Sequence, residues 1–190
     1  RAAMYRSGDD TGHLPPKRRS RAPAPIIPWL DLFSGNGYRR EKALWLTSSA
    51  APNAFLLAIL LRQLNHWVPQ VREAARSAVK TVVEATDTEK VVDAIWATHS
   101  VAGSWGRLSD EDEATLSGFM QTPRIASGWI RKLCSAPEGP VSKIMNRAFQ
   151  SNGLDRYLPE IAEVATRPAI RARAYRMMLE GRTTWPDGWT

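Results

Sequence analysis

The sequence predicts an all-α protein in which about four or five helical hairpins stack as a short α-solenoid. Three observations carry this expectation. Apolar residues recur at helical spacing, as in Val71, Ala74, Ala75, Ala78, Val79 and Val82, and no stretch alternates with the period of a half-buried strand. Prolines and glycines punctuate the chain between these stretches. The second helices of successive pairs then begin near residues 38, 70, 110, 140 and 168, intervals of roughly 30 to 40 residues. Because the intervals are uneven, a compact irregular helical bundle is the alternative.

Residues 1–27, with GDDTGHLPPKRRSRAPAP, are polar, Pro-rich and aperiodic, and are expected as an extended or disordered basic arm. The repeat domain is expected over residues 28–182 and a Trp-containing tail over 183–190. PWLDLFS reads as a helical turn ended by Gly35 and Gly37, and Tyr38 to Thr47 as the helix that follows. Pro52 precedes NAFLLAILLRQLN, and Pro69 opens QVREAARSAV, both at favourable first-turn positions. Thr86 and Glu89 have capping-box spacing ahead of KVVDAIWATHSV. Ser109 caps DEDEATLSGFMQ, whose consecutive acids complement the positive end of the helix dipole. Pro123 introduces RIASGWIRKLCS, APEGP breaks it, and VSKIMNRAFQ runs to Gly153. The last pair is DRYLPEIAEVA and, after Pro168, AIRARAYRMMLEG.

Composition narrows the function. A chain of 190 residues with 43% hydrophobic and 24% charged residues suits a single globular domain. Its longest apolar stretch, AFLLAILL, is too short to span a bilayer, and no membrane association is expected. The formal net charge is +7, but residues 1–24 hold five arginines and one lysine against two aspartates, which leaves only +3 elsewhere. Basicity therefore sits in the arm, and this weakens a nucleic-acid reading of the folded part. Cys134 is the single cysteine, so neither an intramolecular disulfide nor a thiolate cluster can form, and a cytoplasmic location is expected.

PQVREAARSAV resembles the second helix of a HEAT repeat, with Val71, Arg72, Ala75 and Ala78 on the family pattern. PAIRARAYRMM repeats it through Ile170, Arg171, Ala174 and Met177, while GPVSKIMNRAF keeps Val141 and Ala148 with Ser142 in place of the arginine. The resemblance implies that Arg72 and Arg171 tie the inter-helix turns, where Asn65 in one hairpin and Glu163 or Thr166 in the other stand in the aspartate's place. It also implies that second helices line a concave, partner-binding surface. Trp67, Arg72, Arg76, Lys80, Asn146, Arg171 and Arg173 are the expected partner-binding residues, with Ser142 nearby. Arg76 and Lys80 follow Arg72 on one helical stripe.

Residue patterns that carry chemistry are few in this chain. His13, His66 and His99 are far apart and none has metal-ligand spacing, so no metal site and no cofactor are expected. FSGNGYRREK lacks the strand and the lysine of a phosphate loop. Of the eight tryptophans, Trp45, Trp96 and Trp129 fall among apolar neighbours as core candidates, and Trp67 and Trp105 sit at turns. Trp185 and Trp189 flank a Pro-Asp-Gly turn, read as a cap on the last hairpin.

The leading expectation is thus a non-enzymatic helical-repeat protein-binding module of a bacterial cytoplasm. It would be an adaptor, a scaffold or an immunity-type inhibitor whose partner presents an acidic surface; no small-molecule substrate is expected. The alternative is a nucleic-acid-binding HEAT-like protein, including a DNA glycosylase of the alkylpurine type, with Asp93 and Trp96, or Asp31 and Trp29, at the lesion. A third reading makes the chain a piece of a longer array with Arg1 an internal cut; its capped helices and Trp-bearing end favour a complete unit.

Overall fold

A computed structural model describes residues 27–150 and 152–181, so the expected arm, apart from Ile27, and the whole 183–190 tail lie outside the described residues. The described chain is all-helical, with no strand among the described residues. Its α-helices are α1 (Ile27–Asp31), α2 (Gly37–Leu46), α3 (Ala54–Arg62), α4 (Pro69–Ala85) and α5 (Thr88–Ala102). They continue as α6 (Asp110–Gln121), α7 (Pro123–Ser135), α8 (Val141–Ala148), α9 (Leu158–Val164) and α10 (Pro168–Glu180). Short 3-10 turns at Gln63–Asn65 and Asn152–Tyr157 lead out of α3 and into α9.

Local chemistry sets the boundaries. Asn36 and Asn53 cap α2 and α3, their side chains accepting from Tyr38 N and Leu56 N at 2.9 Å. Pro69, Pro123 and Pro168 occupy first-turn positions, where a missing N–H costs nothing. Gly181 ends α10 with φ 60° and ψ 23°, a left-handed conformation that a side chain would strain. Two boundaries depart from the expected pattern. Pro52 precedes the Asn53 cap and so lies outside the first turn of α3. Asp87, not Thr86, caps α5, accepting from Glu89 N at 2.9 Å. Thr86 is buried at the end of α4, where its hydroxyl donates to Val82 O at 2.6 Å and accepts from Ala51 N at 2.8 Å. Its hydroxyl is consumed by tying two chain segments 35 residues apart, so the cap passes to the next oxygen-bearing side chain.

Many contacts join helices of like parity, although α6 also packs on α7 and α5 on α8. α3 packs on α5, α5 on α7 and α7 on α9, while α2 packs on α4 and α8 on α10. Within successive pairs, α1 meets α2, α3 meets α4 and, most extensively, α9 meets α10. Small residues permit this. Val71, Ala74, Ala75, Ala78, Val79, Val82 and Val83 are all buried along α4, where alanines let neighbouring backbones approach. A Cβ at Gly128 would lie 3.0 Å from Val92 Cγ2, so the glycine sets how closely α7 approaches α5.

The core is continuous from Trp29 to Met177. Leu57, Leu60 and Leu61 have no exposed surface, which makes α3 apolar nearly all round. Trp129 is also fully buried, with its ring 5.8 Å from that of half-buried Trp96. Trp45 departs from the expectation of a core position: it is 54% exposed, because Ala43 and Leu44 take the inward positions of α2. No helix among the described residues is long and apolar enough to cross a membrane.

Leu60→Ala should lower the unfolding free energy by about 2–5 kcal/mol through lost burial and a residual cavity. Trp45→Ala should stay within about 0.5 kcal/mol of the parent, as an exposed site does. Urea denaturation followed by circular dichroism distinguishes the two; a comparable loss at Trp45 would place that ring inside the core.

Candidate partner-binding surface

The two first-turn arginines hold the same geometry at two distant places. Arg72 NH1 donates to His66 O at 2.7 Å and Trp67 O at 3.4 Å. Arg171 NH1 donates to Ala165 O at 2.7 Å and Thr166 O at 3.4 Å. Each guanidinium folds back on the turn leading into its own helix and satisfies carbonyls that no helical N–H reaches. The expected side-chain partners in those turns are not used for this. Asn65 instead accepts from Arg107 N at 2.8 Å, joining the turn before α4 to the loop after α5.

Arg76 lies one turn further along α4 and has a different partner. Its Nε and NH2 groups donate to Oδ1 and Oδ2 of Asp112 at 2.8 and 2.9 Å, a bidentate pair joining α4 to α6. NH1 donates to Glu73 at 3.2 Å. Asp112 is only 2% exposed and also accepts from the Ser109 hydroxyl at 2.7 Å. Burial alone would raise the Asp112 carboxyl, but the hydrogen bonds from Arg76 and Ser109 outweigh it and hold the group below its ordinary range. Arg76 is raised in turn, chiefly by its hydrogen bond to Asp112.

Further polar ties join α6, α8 and α10. Arg147 of α8 donates to Glu113 of α6 at 2.7 Å, and Arg173 of α10 donates to Asn146 of α8. Five of the seven expected binding residues, Arg72, Arg76, Asn146, Arg171 and Arg173, are therefore engaged in holding turns and helices. Lys80 is exposed on α4, and Ser142 is half-buried at the start of α8.

Trp67 stands apart from these. Its side chain is 70% exposed, although the Arg72 contact to its carbonyl fixes its backbone. The ring lies 5.8 Å from that of His66, whose Nδ1 accepts from Val68 N at 3.0 Å. Burial first, and Arg40 next, lower the His66 pKa. Trp67 forms one wall of an open cleft of about 460 Å³ shared with Tyr38, Glu41 and Gln70. Tyr38 is 84% exposed, and was not among the expected binding residues. Phe33 and Phe55 form a second exposed aromatic contact, stacked at 5.9 Å.

The residues named for a base-excision site are placed otherwise. Trp29 is 1% exposed and cannot stack on a base. Asp93 is ion-paired with Lys132, whose ammonium lies 5.7 Å from the centre of the Trp96 ring.

Asp112→Asn leaves Arg76 without its carboxylate and should cost about 2 kcal/mol or more, moderated because the Arg76 side chain is one-third exposed. A cycle with Arg76→Gln should return a coupling of about 1–3 kcal/mol in the same denaturation assay. Because the folded-state pKa of Asp112 is depressed, the pair stabilises above the unfolded carboxylate value and its contribution is lost as pH falls through the folded one. The gap between parent and Asp112→Asn should therefore close in acid; a gap that persists there would show that the charge is not what stabilises.

No family model, curated protein or solved structure matches this chain, so its function rests on the geometry just described.

Proposed function

We propose that the chain is a non-enzymatic, HEAT-like helical-repeat module that binds a protein partner. In this reading α1/α2, α3/α4, α5/α6, α7/α8 and α9/α10 are five hairpins, and the first and second helices form two layers of a short solenoid. The succession of contacts from α3 through α5 and α7 to α9 supports it. So does the recurrence of one arginine-to-turn geometry at Arg72 and Arg171.

The observation that carries the binding role is the exposed Trp67–Tyr38 cleft on the second-helix layer. Tryptophan and tyrosine carry large contact area on few rotatable bonds, and Trp67 stands on a backbone already fixed by Arg72. Lys80 on α4, with Arg39 and Lys42 on neighbouring α2, leaves exposed positive charge on the same pair of packed helices. That charge suits a partner with an acidic surface. An adaptor, scaffold or inhibitor of the immunity type, acting in the cytoplasm, fits this description.

Affinity capture of the tagged protein from its own cells, with and without nuclease, tests the reading. A nuclease-resistant protein at near-equal amount is expected, and Trp67→Ala should weaken its binding by roughly tenfold or more, as loss of an interface anchor does. Lys80→Glu should slow association with an acidic partner more than it speeds dissociation. Loss of all captured material on nuclease treatment would replace the protein partner with a nucleic acid.

A further inference from the structure

A cleft of about 360 Å³ opens between α5, α6 and α8, on residues that the proposed partner surface does not use. Ile95, Ala102 and Leu116 supply apolar wall, and His99, Ser117 and Arg147 supply polar groups. His99 is 7% exposed, and none of the described residues hydrogen-bonds its imidazole. A buried imidazole without a protein partner, lining an open cleft, is poised for a ligand atom.

The charges of the cleft are unequally placed. Arg147 has its side chain 19% exposed, whereas its partner Glu113 is 48% exposed. Water screens the outer carboxylate more than the inner guanidinium, so the interior is net positive. His99 responds to that field: burial first, and Arg147 second, lower its pKa to about 4. Arg147 uses NH2 for Glu113, which leaves further N–H groups to donate. Gly103 leaves space for it, since a Cβ there would stand 3.3 Å from NH1.

We propose that this cleft is a binding site for an organic carboxylate, whose oxygens accept from Arg147 and His99 and whose apolar body lies on Ile95, Ala102 and Leu116. The carboxylate comes from a free small acid or from an acidic side chain of a peptide; the recognition chemistry is the same. The charged groups lining the cleft around His99 are Arg147 from α8 and Glu113 from α6; α3 and α7, also packed on α5, contribute none. A bound carboxylate offsets the Arg147 field, so the complex favours protonated His99. Affinity then rises only as pH falls through the raised His99 value of the complex, well below neutral, until the ligand itself protonates.

The test follows the His99 ring resonance of the full chain by NMR. Three probes are titrated: benzoate, uncharged benzamide and acetyl-Ala-Glu-Ala-amide. Benzoate should bind in preference to benzamide, and roughly tenfold more tightly to the protonated imidazole than to the neutral one. Arg147→Gln should abolish that preference. Glu113→Gln removes a competitor from a half-exposed position and should strengthen benzoate binding by about threefold. Equal response to benzoate and benzamide overturns the proposal. So does unchanged or weakened benzoate binding in Glu113→Gln, the deciding variant should Arg147→Gln not fold. Binding by benzoate alone assigns the cleft to free acids, and binding by both charged probes extends it to acidic side chains.

Discussion

Asp112 brings a carboxylate to near-complete burial, and that is tolerable only because Arg76 grips both its oxygens while Ser109 donates to it from the start of the same helix. The contact joins α4 to α6 across 36 residues of chain. It also gives one residue two roles, since Asp112 completes the capping box of α6 while serving as the arginine's partner. The start of α6, and hence the place of Glu113 and the cleft beside it, depends on this pair.

Arginines do most of the positioning in this protein, and they do it in three ways. Arg72 and Arg171 close the turns that precede their own helices. Arg76, Arg147 and Arg173 join one helix to another two places along the chain. Arg124 collects carbonyls at the end of α4, donating to Val83 O at 3.3 Å and Thr86 O at 3.1 Å. The planar five-donor guanidinium suits each task, since it can reach several acceptors from one half-buried stem. An excess of arginine on this sequence therefore marks helix junctions as much as it marks a basic surface.

The aromatic residues divide on different lines. Trp29 and Trp129 fill the core, while Trp45 and Trp67 face outward. The buried rings sit among large aliphatic neighbours drawn from several helices. Trp67 sits in a turn whose backbone is committed to Arg72, and its ring is left for other contacts. Exposure here follows from what each backbone segment must do and not from the hydrophobicity of the ring.

Much of the helical outline was legible in the sequence. Helices begin at Gly37, Pro69, Asp110, Val141 and Pro168, where prolines, caps and apolar spacing had placed them, because these signals act over one or two turns. The inward face of α4 followed from the same spacing. Tertiary structure decided what the polar residues do. Arg76 and Lys80 share a stripe in sequence, yet only Arg76 meets a carboxylate, brought by a helix more than thirty residues away. Consecutive acids at Asp110–Glu113 look alike as dipole complements, but the turn of the helix buries Asp112 and leaves Glu113 at the surface. His99 read as a solitary histidine until α6 and α8 closed around it. Helix propensity is local, whereas the partner of a charge is set by which segments fold against each other.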